Sequence, residues 1–190
     1  MISLRMLPAM GQGGSEPSGV ERVPALPGQE FHCHTGYLLA QCQEDILQLK
    51  RVLSHYPIER LGHWTWVLIR SQDWKPISRG VGMSPDTPAF TAVEPRETFL
   101  EEALFAHDPQ RTSELMYLWH QWMPKLLELA VTHELGHAFC EVPNEAAADR
   151  FGAELRNGRP ASCPVSKEAR RRRVRAEEAN GLILDALKAP

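Results

Sequence analysis

A chain of 190 residues with 43% hydrophobic side chains is long enough to build one buried core with tails. Its net charge of −3 and pI of about 6.2 exclude the basic surface that a nucleic-acid partner requires. No apolar run approaches the roughly 20 residues of a bilayer-spanning helix, so no membrane partner is expected.

Residues 1–30 are rich in Gly, Pro, Ser and Glu and offer few anchors. They are expected to form a flexible tail, or a pro-segment lying in a cleft. The first residues lack the roughly 7–15-residue apolar stretch of a secretory leader. That points to the cytoplasm, where reduced thiols are the default for Cys33, Cys42, Cys140 and Cys163. Export would instead make Cys33 with Cys42, or Cys140 with Cys163, candidate disulfides.

The folded domain is expected over residues 31–165. Phe31-His32-Cys33-His34 is metal-like in composition but reads as a chain entry before the first helix. Leu38, Leu39, Cys42, Ile46, Leu49 and Leu53 recur at helical spacing, giving an amphipathic helix from Tyr37 to about Tyr56. Trp64 to Arg70 is aromatic and β-branched and reads as a strand. Ser71 to Trp74 reads as a turn, with a weaker strand around Ile77 to Val81. Ala89 to Glu94 is a strand bounded by Pro88 and Pro95, which suits a sheet edge. An edge of this kind can take an extended peptide as an added strand, so Phe90, Thr91 and Ala92 are candidate substrate contacts. Residues 96–106 suit a short strand or helix. A helix is expected from Thr112 or Ser113 through Trp122, with Pro124 kinking it or opening the next one. Residues 166–190 read as a C-terminal helix. Its Arg170–Arg173 run is flanked by Glu177 and Glu178, so it is taken as a solvated face.

His133-Glu134-Leu135-Gly136-His137 is the most informative stretch. On a helix, positions i and i+4 share one face, so two imidazoles stand one turn apart. Two neutral imidazoles there can bind one metal ion. Glu134 is rotated off that line and can reach a water beside the metal. This is the arrangement a zinc hydrolase needs. The apolar run Lys125 to Thr132 leads into the motif, and a buried His-Glu-His cluster without a metal would leave costly unpaired polar groups.

Zinc needs a third protein ligand. Asn144 can cap a second helix starting at Glu145, and Asn157-Gly158-Arg159-Pro160 ends it. Glu145 and Asp149 are again i and i+4. Glu145 can bind the metal while Asp149 accepts a hydrogen bond from a ligand histidine. Glu141 and Cys140 are excluded as ligands beside both histidines. Ligands in a row along one helix from His133 to Glu141 span about 12 Å.

The His-Glu-x-x-His helix, followed by Asn144-Glu145-Ala146-Ala147-Ala148-Asp149, resembles the gluzincin metallopeptidases. The layout upstream is similar to the minimal single-domain members, the minigluzincins. The specific likeness covers residues 133–151, with a looser one from about residue 37. It implies an α+β, zincin-like domain: an N-terminal helix, a short three- to four-stranded, mostly antiparallel sheet, the active-site helix and a glutamate helix. It also implies one catalytic Zn²⁺ held by His133, His137 and Glu145, Glu134 as general base, and Asp149 behind the first histidine. A peptide or protein substrate would lie antiparallel to the edge strand. Two features depart from the family pattern. Only seven residues separate His137 from Glu145, and no His or Tyr follows Glu145. A second oxyanion donor would have to come from His107, Tyr117, His120 or Arg159, or be absent. The expected activity is a zinc-dependent endopeptidase. The alternatives are a form held latent by a tail, a zinc-stabilised binding module without turnover and, since the ligand set does not name the scissile bond, a zinc amidase or deacetylase.

Overall fold

The computed structural model describes residues 25–141 and 144–163. The expected C-terminal helix and most of the N-terminal tail lie outside these residues. The described chain is mixed α/β. Its elements run β1 (Gln29–Cys33), α1 (Leu39–Leu53), β2 (Trp64–Ile69), α2 (Ser71–Gly80), β3 (Ala89–Ala92), β4 (Glu97–Glu101), α3 (Pro109–Trp119), α4 (Met123–Cys140) and α5 (Glu145–Arg156). No helix among the described residues is long and apolar enough to cross a membrane.

The four strands form one sheet in the order β1-β2-β4-β3. β1 and β2 are parallel, β2 and β4 are parallel, and only β3 and β4 are antiparallel. This corrects the mostly antiparallel expectation. Helix α1 crosses over between β1 and β2, and α2 lies between β2 and the β3–β4 pair. A chain that crosses over through a helix returns in the same direction. The tight antiparallel turn is confined to β3–β4, and β3 is an edge, as its flanking prolines suggested.

Both faces of β2 are buried, which explains its near-continuous apolar run. Trp64, Trp66 and Leu68 face the main core with Leu49 and Leu53 of α1, Leu115 of α3 and Leu126, Ala130 and Leu135 of α4. Val67 and Ile69 face a smaller cluster with Trp74 of α2 and Phe90 and Phe99 of the β3–β4 pair. The sheet is thus sandwiched between α2 on one side and the remaining helices on the other.

Two segments differ from the sequence expectation. Ser71–Gly80 is a helix, not a turn and a strand. Trp74, Ile77 and Ser78 fall at i, i+3 and i+4, so a helix buries them together. Pro76 forfeits one backbone bond, and the burial of Trp74, whose indole donates to the Thr87 carbonyl at 2.9 Å, outweighs it. The Phe31-His32-Cys33-His34 run is not an entry loop, since β1 begins at Gln29 and its alternate side chains turn inward. Residues 96–106 divide into β4 and a short 3-10 turn (Glu102–Phe105). Helix α3 starts earlier than expected, because Asp108 accepts from the Arg111 amide at 3.0 Å and Pro109 opens the helix. Pro124 opens α4.

All four cysteines are paired. Cys33 joins Cys42, and Cys140 joins Cys163, with Cα separations of 6.1 and 5.2 Å. The default of reduced thiols therefore gives way to both alternative pairings. The physical reason is proximity: the end of β1 faces the first turn of α1, and the chain leaving α5 returns to the end of α4. Both separations lie within disulfide reach.

A buried ion pair fastens α3 to the sheet. Arg111 meets Glu101 of β4 at 3.0 Å, and neither side chain is more than 6% exposed. Arg111 also donates to the Pro85 carbonyl at 2.6 Å. Removing one partner of such a pair strands the other charge. Arg111→Met is expected to cost about 3–5 kcal/mol, read as a lower urea midpoint at unchanged slope. A loss below about 1 kcal/mol would show that α3 is held by its apolar face alone.

Candidate metal centre

The centre is built by α4 and α5, and these helices touch backbone to backbone. A Cβ on Gly136 would meet Ala148 Cα at 2.6 Å, and one on Gly152 would meet the Thr132 carbonyl at 2.7 Å. Thr132 and Gly136 are one turn apart on α4, as are Ala148 and Gly152 on α5. Each helix thus presents a strip of small side chains to the other. Arg156 of α5 donates to the Thr132 hydroxyl, adding a polar tie along the seam. Asn144 caps α5 by accepting from the Ala147 amide at 2.9 Å. Glu141 ends α4 with a left-handed backbone (φ 50°), and its amide bonds to the His137 carbonyl.

This packing brings the first turns of α5 against the motif on α4. His133 Nε2 lies 3.2 Å from His137 Nε2. Glu145 Oε2 lies 3.0 Å from His133 Nε2 and 3.5 Å from His137 Nε2. One ligand atom from each residue falls within 4.8 Å of the others. Asp149 Oδ1 is 2.8 Å from His133 Nδ1. The sequence-expected set is therefore gathered in one place.

The donor chemistry fits a cation. An Nδ1–H donating to Asp149 fixes the neutral His133 tautomer that leaves a lone pair on Nε2. That lone pair points at a second imidazole nitrogen and at a carboxylate oxygen. Three electron-rich atoms facing one another repel unless a proton or a metal ion sits among them. The set of two imidazoles and one carboxylate matches known zinc donor preferences.

Glu134 is handled differently. It is 2% exposed, and its Oε2 is buried without a hydrogen-bond partner among the described residues. Burial pushes its carboxyl up to about 7, with Glu145 adding to the rise and His137 and Thr91 opposing it. A cation at the imidazoles would pull in the opposite direction. An orphaned buried oxygen beside a cluster of metal-type donors is where a water bound by a cation could be received.

The edge strand closes this side of the site. Thr91 Oγ1 lies 3.4 Å from the Glu134 carbonyl and 2.9 Å from Thr98 Oγ1. Phe90 points the other way, stacked on Phe99 at 4.6 Å, and is buried. Its side chain is therefore core, not a substrate contact. Ala92 is half-buried at the end of β3.

The other named residues lie apart from this cluster. His107 Nε2 is 2.7 Å from the buried Asp45 carboxylate, which also accepts from Tyr37. Tyr117 and His120 pack on each other at the end of α3. Arg159 lines a different cavity. His32 pairs with Glu30, and His34 lies 3.9 Å from Asp73. The residues that sequence reasoning missed are Gly136 and Gly152. Their signal was legible as small residues at four-residue spacing on both helices.

Comparison with family models, with curated proteins and with solved structures gives no match.

The seam gives a paired prediction. Gly136→Ala gains helix propensity but drives a Cβ into rigid backbone, and overpacking of that kind costs about 1–3 kcal/mol. It is expected to lower the melting temperature and weaken zinc binding together. Gly80→Ala, where nothing lies within 4 Å, is expected to be neutral or stabilising. Equal behaviour of the two variants, by calorimetry and zinc competition, would sink the close-contact argument.

Proposed function

We propose that this chain is a zinc-dependent endopeptidase of zincin-like fold and gluzincin type. The observation that carries the reading is the convergence of His133, His137 and Glu145 beside the buried carboxylate of Glu134. A zinc ion held by the first three would supply Lewis acidity and a water acidified towards a pKa of about 7. Glu134 takes a proton from the attacking water and returns it to the leaving amine. Burial raises its proton affinity, and a cation at the imidazoles would oppose that rise. Asp149 holds His133 in the ligand tautomer. The free edge of β3 offers backbone groups to an extended peptide beside Glu134, with Thr91 and Ala92 on that strand. The two disulfides favour an oxidising compartment over the cytoplasm for this activity.

A second reading has its own support. The groups suggested for oxyanion stabilisation, His107, Tyr117, His120 and Arg159, are engaged or placed elsewhere. A zinc-stabilised binding module without turnover accounts for that.

One experiment separates the two. A broad peptide pool is incubated with zinc-replete chain and with Glu134→Gln, and the products are read by mass spectrometry. The expected outcome is cleavage by the wild type and a loss of about 10²–10⁴-fold in the variant, with zinc retained. Absence of cuts from zinc-replete wild type would favour the binding module. Equal cutting by the variant would remove Glu134 from its role.

The ligand set is checked by zinc competition. Asp149→Ala is expected to weaken zinc roughly 10–100-fold, as loss of a histidine's carboxylate partner does. Glu145→Ala is expected to weaken it further. Unchanged affinity in Glu145→Ala would exclude that carboxylate from the metal.

A further inference from the structure

The hairpin of α4 and α5 has a second side. Phe139 follows His137 by two residues, and Phe151 follows Asp149 by two. At 3.6 residues per turn, both therefore point to the face opposite the metal ligands. There they stack with ring centres 5.4 Å apart. They form part of the wall of a cavity of about 460 Å³, within the size range of small-molecule sites. Leu155 and the buried ring of Tyr56 extend the apolar surface. The Tyr56 hydroxyl is already committed to Glu128 at 2.8 Å. None of the residues lining this cavity belongs to the metal centre.

The permanently charged groups lining it, Arg60 and Arg159, are of one sign, and no Asp or Glu lines the cavity. Arg60 sits over the Phe139 ring at 6.0 Å from its centre. Among the described residues, neither guanidinium is ion-paired with a carboxylate. Such groups accept an anion in a bidentate fork. The stacked rings in the same cavity wall offer nothing to a polar body and favour an apolar one.

We propose that this cavity binds an apolar molecule carrying a carboxylate, at a site separate from the metal centre. The apolar body lies against Phe139, Phe151 and Leu155, and the carboxylate meets Arg60 and Arg159. A fatty-acid-like molecule and an apolar peptide C-terminus share this chemistry.

The test is isothermal titration of the full zinc-loaded chain with octanoate, with octylammonium as the control of equal chain length and opposite charge. Saturable binding of octanoate is expected, and none of octylammonium. The double variant Arg60→Gln/Arg159→Gln is expected to bind octanoate at least tenfold more weakly, at an unchanged melting temperature. A carboxylate that merely sits on the zinc would bind this variant as well as the wild type, and that result overturns the proposal. So does equal binding of octylammonium, or no saturation up to millimolar octanoate. A parallel arm compares acetyl-Ala-Leu-Phe as free acid and as amide, using Glu134→Gln to prevent turnover. Preference for the peptide acid over octanoate identifies a peptide terminus as the source, and the reverse order a free fatty acid. A peptide amide that binds as well as the acid counts against the carboxylate.

Discussion

The close approach of α4 and α5 is the constraint on which the rest of the site depends. Helices with ordinary side chains at their contact pack about 8–10 Å apart. Here Gly136 faces the Ala148 backbone, and Gly152 faces the Thr132 carbonyl, with no room for a Cβ on either glycine. That proximity lets Glu145, a side chain with only three rotatable bonds, lie 3.0 Å from His133 Nε2 while Asp149 reaches Nδ1 of the same ring. A wider seam would separate the carboxylates from the imidazoles even if every named residue stayed in place. The glycine inside the His-Glu-x-x-His stretch is thus part of the site's geometry, although it touches no ligand.

Several weaker devices serve the same end. The short link leaves α5 few ways to enter, and the Asn144 cap sets its first turn. The Cys140–Cys163 disulfide joins the far end of α4 to the chain beyond α5, enclosing both histidines' partners in one covalent loop. On the entropic view, a loop of this length is worth about 3 kcal/mol. The sheet contributes through β3, where Thr91 lies against the Glu134 backbone. The result is a division of labour between neighbouring residues. His133 faces lone-pair donors and a tautomer-fixing carboxylate. Glu134, next in sequence, is buried, and that burial raises the pKa of its carboxyl.

How much of this was legible depended on how local the cause was. Helices α4 and α5 announced themselves through periodicity, Pro124 and Asn144, and their facing residues followed from i, i+4 spacing. β2 and the edge character of β3 were equally legible, through apolar runs and flanking prolines. β1 was missed because an edge strand whose inward side is Gln29, Phe31 and Cys33, each only half-buried, has little hydrophobic signal. α2 was missed because Pro76 and the short apolar pair near Ile77 resemble a broken strand, whereas the deciding fact, burial of Trp74 against Phe90, is tertiary. Strand direction was not local information either. It followed from which segments became crossovers. The cysteine pairing could be enumerated from sequence but not chosen, since choice required knowing which chain ends meet.

The two faces of the hairpin follow from the same arithmetic. Residues 133, 137, 145 and 149 occupy one side because they repeat every four positions. Phe139, Phe151 and Leu155 fall on the other for the same reason. The polar face gathers donor atoms that could hold a metal ion, and the apolar face is fringed by Arg60 and Arg159, which have no carboxylate partner among the described residues. A substituent that pressed the helices apart at Gly136 would open both faces at once, because one seam positions both. Phe139 lies two residues beyond His137 and one before the disulfide-bonded Cys140. Occupation of the rear cavity would therefore bear on the same turn of α4 that carries the second histidine. The metal centre and the cavity are separate in their contacts but share one piece of backbone.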